Sequence, residues 1–289
     1  MLFQRLLPAM AMLAFVVASG SASATVNLKF GVYTSDNRSA MEEKFRPVLR
    51  SLETDLGIIL NETVKIELQV ARTYDEGIED LASGRVDFAR LGPASYVIAK
   101  DRNQGVEVLA VESKKGEKVF KGVICVANDS SIQNVSELRG KSFAFGDENS
   151  TIGRYLSQLH LVNNGIRASD LSRYEYLGRH DKVGIAVGRG KFDAGALKNS
   201  TFKKLVKKGV PIRSIATFEN VTKPWVASSG LSDRLTGAVR KALLSMSDAN
   251  ALKALGKDGF LEGSDADYAE IRRAIRDNAI FFQVNQAAN

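Results

Sequence analysis

Cysteine occurs once in the 289 residues, tryptophan once and histidine twice. A single Cys125 excludes an internal disulfide. Set in the apolar run Val123-Ile124-Cys125-Val126 with no cationic neighbour in sequence, it reads as a small buried hydrophobe rather than a reactive thiol. The two histidines, His160 and His180, lack the close spacing of zinc ligands, so no metal is expected. There is no HExxH, no GxSxG and no Walker glycine loop, and Gly188-Arg189-Gly190 reads as a helix stop; no cofactor is expected. Beyond the N-terminus no apolar run is long enough to span a bilayer, which takes about 20 residues.

The N-terminus carries Arg5, an apolar run from Leu6 to Val17 broken only by Pro8, and then small residues ending in Ala22-Ser23-Ala24. That order predicts an export signal over residues 1–24, cleaved before Thr25. The apolar run is short for a membrane anchor, and no cysteine follows it to take a lipid. The formal charge of +7 falls by one when Arg5 is removed. This positive charge is dispersed along an exported chain, which argues against nucleic acid and for anionic solutes or membrane partners.

The remaining 265 or so residues alternate short β-rich runs with amphipathic stretches. Strands are expected at Asn27–Tyr33, Val64–Val70, Val86–Arg90, Gly122–Ala127, Lys141–Phe145 and Tyr174–Gly178. Helices are expected at Ala40–Leu56 (bent near Pro47 and stopped by Gly57), Tyr74–Ala82, Ala94–Lys100, Thr151–Asn164, His180–Gly188, Asp233–Met246 and Asp265–Asn278. Such alternation predicts an α/β protein with mostly parallel sheets, its last two helices packing back on the first lobe. Gly84-Arg85-Val86-Asp87-Phe88-Ala89 is echoed by Gly190-Lys191-Phe192-Asp193-Ala194-Gly195. Each follows a helix and leads through a strand to helix-starting residues, Pro93-Ala94-Ser95 and Asn199-Ser200-Thr201. Two lobes on one plan follow, joined by crossing strands because no proline- or serine-rich linker separates them.

Three strand-to-helix loops can receive an anion, since a helix start offers free N–H groups and the positive end of the dipole. They are Gly92-Pro93-Ala94-Ser95, Glu148-Asn149-Ser150-Thr151-Ile152-Gly153 and Gly178-Arg179-His180-Asp181. Ser, Thr and Asp at such positions also serve simply as caps. Three together in an open α/β sheet point to the crevice where such folds bind ligands. His180 is a site candidate; His160, inside a helix, is structural.

At these loops the chain resembles the phosphate/phosphite/phosphonate-binding proteins of bacterial ABC transporters, the periplasmic phosphonate-binding family. The resemblance rests on Val86-Asp87-Phe88-Ala89-Arg90-Leu91-Gly92-Pro93-Ala94-Ser95-Tyr96, Gly146-Asp147-Glu148-Asn149-Ser150-Thr151-Ile152-Gly153, Gly178-Arg179-His180-Asp181 and Gly190–Gly195, and extends over nearly all of residues 27–282. It implies a two-lobed type II periplasmic-binding fold with lobes of residues 25–121 plus 222–289 and 122–221, and a hinge of two crossing strands. It places the ligand between the lobes against Ser150, Thr151, His180, Ser95 and Tyr96. Tyr33 and Tyr74 match positions where the family often has cleft aromatics, and are equally tyrosines at a strand end and a helix start. Lys121, Lys198 and Arg90 are further cationic candidates at the cleft. Amine-bearing phosphonates are usually held in this family with help from acidic side chains; here the strand after Asp193 ends at Lys198, which opposes an ammonium.

The expected function is capture of a small phosphorus oxyanion for an ABC permease by a periplasmic monomer. The alternative is a sensing module that loads a membrane histidine kinase. An exported enzyme using His180 and Asp181 as acid and base is disfavoured, because consecutive residues do not both face one substrate easily and no nucleophile is paired with them.

Overall fold

The computed structural model describes residues 25–34 and 38–284; the expected export signal, residues 1–24, lies outside the described residues. The chain runs β1 (Thr25–Tyr33), α1 (Arg38–Leu60), β2 (Thr63–Ala71), α2 (Tyr74–Ala82), β3 (Phe88–Arg90), α3 (Pro93–Arg102) and β4 (Glu107–Ser113). It continues with β5 (Val119–Ala127), β6 (Ser142–Phe145), α4 (Leu156–Asn163), β7 (Arg173–Tyr176), α5 (His180–Gly188), β8 (Ala194–Lys198), α6 (Asn199–Lys207) and β9 (Ile212–Val221). It ends with β10 (Pro224–Ala227), α7 (Asp233–Leu244), α8 (Ala249–Leu255), β11 (Gly259–Leu261), α9 (Ala269–Arg276) and α10 (Ala279–Phe282).

These elements form two lobes, each around its own sheet. The first sheet has the order β11-β4-β10-β3-β1-β2 and the second β7-β6-β8-β5-β9. The sheets are mixed rather than mostly parallel. β1 pairs parallel with β2 and β3, and β6 with β7 and β8, but β10 and β5 run antiparallel to their neighbours. The cause is the crossing: β5 enters the second sheet from the first lobe, and β10 enters the first sheet from the second. The crossing segments pair with each other, Val119 opposite Val221, with Thr222 N donating to Lys118 O at 2.7 Å and Glu112 N to Lys223 O at 3.1 Å.

Alternation sets the faces. In β1, Leu28, Phe30 and Val32 are buried while Lys29 is exposed. Met41, Phe45, Val48, Leu49, Leu52 and Leu56 form the apolar stripe of α1 against the same core. Trp225 of β10 stacks on Phe30 at 4.6 Å between ring centres. Full burial of side chains of this size contributes roughly 1.5–3 kcal/mol each. The same packing explains why α1 passes Gly57, the expected stop, and ends at Leu60, followed by Asn61 in the left-handed region (φ 55°). Ile59 and Leu60 pack against the core, outweighing a glycine deficit of about 1 kcal/mol.

The two echoed segments do the same job. Asp87 accepts from Lys29 N of β1 at 2.6 Å, and Asp193 accepts from Ser142 N of β6 at 2.8 Å and from Ser142 Oγ at 2.6 Å. Gly84 and Gly190, at φ 76° and 68°, make the turn before each. β3 and β8 hold matching central places, each between a parallel partner and an antiparallel crossing strand.

The C-terminal segment packs on the first lobe as expected and then runs further. It begins with a 3-10 turn at Asp265–Tyr268, and Tyr268 is buried in the first lobe. It then crosses over: Phe281 enters the second-lobe core, edge-on to Phe145 at 5.7 Å, and Asn278 Nδ2 donates to Gln158 Oε1 at 2.7 Å. The helix expected at Asp265–Asn278 packs back on the first lobe as expected, Ile271 and Ile275 joining Tyr268 in that core, and it is the aromatic residues beyond it that find their apolar partners in the second.

Candidate functional site

Where the lobes face each other, a small cleft opens. The first lobe contributes Tyr33, Tyr74, Gly92 and Pro93; the second contributes Ser150, Thr151, Ile152, His180 and Lys198; the crossing strands and the link beyond them add Phe120, Asn220 and Lys223. Among the described residues no carboxylate lines it.

On the first-lobe side, Tyr33 ends β1 and Tyr74 opens α2, their rings stacked 3.9 Å apart. Gly77 allows this, since a Cβ there would come within 2.9 Å of the Tyr33 ring. The Tyr33 hydroxyl accepts from Gly92 N at 2.7 Å and shares a hydrogen bond with Ser95 Oγ at 2.9 Å. Burial pushes this phenol up to about 12, so it stays protonated. Helix α3 starts at Pro93 and lacks a side-chain cap of its own, its N-cap being Gly92. Its Ala94 N donates instead to Thr151 Oγ of the other lobe at 2.8 Å, and Ser95 Oγ donates to Asn149 O at 3.3 Å.

On the second-lobe side, the helix expected at Thr151–Asn164 opens with a π turn, Thr151–Tyr155, before α4. Gly146 and Gly153 cause this close turn: a Cβ on either would lie within 2.9 Å of the other's Cα, and Gly146 N donates to Gly153 O at 2.8 Å. Ser150 caps the turn, accepting from Gly153 N at 2.9 Å. Both hydroxyls thus accept from backbone amides and keep a proton to donate. His180 is the first residue of α5 and is buried. Lys198 ends β8 at the N-cap of α6.

Beneath the cleft lies a buried ion network. Arg90 donates to Glu112 through Nε at 2.7 Å and Nη2 at 3.0 Å, and Lys257 Nζ lies 3.6 Å from the same carboxylate. Burial alone would raise the Glu112 carboxyl; the charge and hydrogen bonds of Arg90 outweigh it and hold it well below the ordinary value. Lys223, with Nζ 6.0 Å from the Phe120 ring centre, is pushed well below its usual range by desolvation and then by Arg90 and Lys198. An anion in the cleft would relieve that stress.

Of the residues singled out from sequence, Tyr33, Tyr74, Ser150, Thr151, His180 and Lys198 line the cleft, and Ser95 stands behind it, holding Tyr33. Tyr96 and Lys121 do not line it. Successive helix residues point about 100° apart, so with Ser95 inward Tyr96 turns away, donating to Asp265 Oδ1 at 2.8 Å. On β5 it is Phe120 that faces the cleft, and alternation sends Lys121 to solvent. Arg90 is occupied by Glu112, and Asp181 by Arg179 at 2.8 Å, away from the acid–base role considered beside His180. Phe120, Asn220 and Lys223 escaped sequence reasoning; only the register of the crossing strands, Phe120 opposite Asn220, reveals them.

The family described as the periplasmic substrate-binding protein of phosphonate ABC transporters matches residues 30–268. Similar proteins include a probable ABC transporter phosphite-binding protein, PhnD1, of Prochlorococcus marinus, 25% identical over 233 residues, 76% of this chain and 75% of that one. Another is the phosphate-import protein PhnD of Mycolicibacterium smegmatis, 25% identical over 271 residues, covering 82% and 81%. Among solved structures, PhnD1 of Prochlorococcus marinus in complex with methylphosphonate aligns with a TM-score of 0.75 at 23% identity, over 87% of this chain and 97% of that one. A binding-protein component of an ABC phosphonate transporter from Pseudomonas aeruginosa aligns with a TM-score of 0.78 at 18% identity, over 92% and 91%. With the match spanning both sheets and every wall of the cleft, the chain belongs to the periplasmic phosphonate-binding family of ABC transporter substrate-binding proteins.

Proposed function

We propose that this chain captures a small phosphorus oxyanion (phosphite, phosphate or methylphosphonate) between its lobes and delivers it to an ABC permease. In this reading it works in the periplasm as a monomer after loss of residues 1–24, and catalyses nothing. The observation that carries the proposal is the composition of the cleft wall: two helix starts converge from opposite lobes with Lys198 and Lys223, and no described carboxylate lines it. Helix starts and ammonium groups attract anions, and a cleft this small favours a compact one. The ligand would take hydrogen bonds from the Ser150 and Thr151 hydroxyls, His180 and the lysines, with Tyr33 and Tyr74 as its first-lobe wall. The related proteins are named for phosphite and for phosphate, and one is solved with methylphosphonate.

A thermal-shift panel tests this. A ligand that binds only the folded protein adds about 2.7 kcal/mol of stability at a hundredfold excess over its Kd. Phosphite, phosphate and methylphosphonate should each raise Tm more than aminoethylphosphonate, whose ammonium would meet Lys198. A largest shift with the aminophosphonate would refute the role given to Lys198, and no shift with any phosphorus oxyanion would refute the ligand class.

A further inference from the structure

Asn220 lies on β9 directly opposite Phe120 of β5, close to where the two strands cross between the lobes, and both side chains line the cleft. Its side chain is part of a residue only 3% exposed, yet neither Nδ2 nor Oδ1 has a hydrogen-bond partner among the described residues. Buried amides are almost always paired, because an unmet donor or acceptor loses its hydration without compensation. Here the residue that carries both unmet atoms lines a cavity whose other polar walls are hydroxyls, an imidazole and two lysines. The amide therefore calls for a ligand edge that offers an acceptor and a donor side by side.

Phosphorus oxyanions differ on this point. Hydrogenphosphate, even as a dianion, keeps one P–OH beside bare P–O oxygens. That edge matches the amide: Nδ2 donates to a bare oxygen and the P–OH donates to Oδ1. Phosphite and methylphosphonate spend one phosphorus valence on hydrogen or carbon, so their dianions have three bare oxygens and no proton. They satisfy Nδ2 but set an anionic lone pair against Oδ1. The nearby charges, Lys198 and Lys223 with Arg90 and Glu112 beneath, act on all three anions alike.

We propose that Asn220 makes this cleft selective for an oxyanion that retains a proton when doubly charged, hydrogenphosphate above phosphite and methylphosphonate. The proposal rests on the oxyanion reading above and narrows it. The test is calorimetric titration of the protein with the three anions at one alkaline pH, chosen above the second ionisation of all three so that each is present as its dianion. Protein titration is then common to all three. Phosphate should bind at least tenfold more tightly than either other anion, and Asn220→Ala should bring the three affinities together by weakening phosphate most. Asn220→Asp, which keeps an acceptor and loses the donor, should still bind phosphate, more weakly, while the proton-free dianions lose measurable binding. Equal or tighter wild-type binding of phosphite or methylphosphonate, or an unchanged ratio in Asn220→Ala, would overturn the proposal and leave the oxyanion reading intact. Absence of binding by all three would overturn that reading and this one together.

Discussion

The first lobe offers the cleft a helix start capped by glycine and two stacked phenols; the second offers hydroxyls, an imidazole and a lysine. Yet the sheets share a plan, β10-β3-β1-β2 in one and β5-β8-β6-β7 in the other, with matching strand directions and matching aspartates. The shared part is scaffolding: it puts strand ends and helix starts at the crevice twice. Chemistry is free to diverge because it resides in the loops that follow the strands. The division also makes the lobes interdependent. Helix α3 has its first free amide capped by Thr151 across the cleft, so apposition of the lobes completes a helix as well as a site.

The largest expected contrast is in charge beneath the surface. Glu112→Gln leaves Arg90 and Lys257 without their buried counter-charge, and loss of one partner of such a network costs about 3–5 kcal/mol. Urea denaturation should show this at neutral pH. Because the folded-state pKa of Glu112 is depressed from 4.5, its contribution is complete above the unfolded value and lost as pH falls from there toward the folded one, so the variant's deficit should shrink on acidification. A neutral variant would mean that the network does not hold the first-lobe side of the cleft.

A smaller effect is expected on the second-lobe side, and in binding rather than folding. Ser150→Ala with Thr151→Ala removes two hydroxyl donors, each worth roughly 1.5–3 kcal/mol to a charged ligand. Oxyanion affinity should drop at least tenfold by calorimetry, while far-UV circular dichroism stays native; wild-type affinity would dissociate these hydroxyls from the ligand.

The smallest effect tests the shared scaffold. Asp87→Ala and Asp193→Ala each remove hydrogen bonds to a neighbouring strand, worth about 1 kcal/mol apiece. Both should lower stability measurably, Asp193→Ala no less than Asp87→Ala since it also loses Ser142 Oγ. If only one matters, the repeat in sequence is not a repeat in mechanics.

Much of this arrangement is legible in local pattern. Helix α2 can be read to the residue from Tyr74 to Ala82, and the three loops singled out in sequence sit where strand-to-helix transitions place them. What local pattern cannot carry is parity and partnership. Ser95 and Tyr96 are equally plausible side by side, and only the burial of Ser95 against Tyr33 decides between them. Phe120 and Lys121 differ by one residue, which in a strand reverses the face. Asn220 and Lys223 look like ordinary polar residues around a strand end until the pairing of β5 with β9 sets them at the cleft. The antiparallel entry of β10 and the passage of Phe281 into the far core are both long-range events without a local signature.

That last passage changes the mechanics of the pair of lobes. Two adjacent crossing strands alone make an axle, about which one body can swing freely relative to the other. The stretch from Tyr268 to Phe281 adds a third connection, anchored by an aromatic ring at each end and set apart from the axle. A strap in that place acts as a second fastening beside a hinge pin: two bodies tied at a third point, away from their shared strands, have fewer relative orientations open to them.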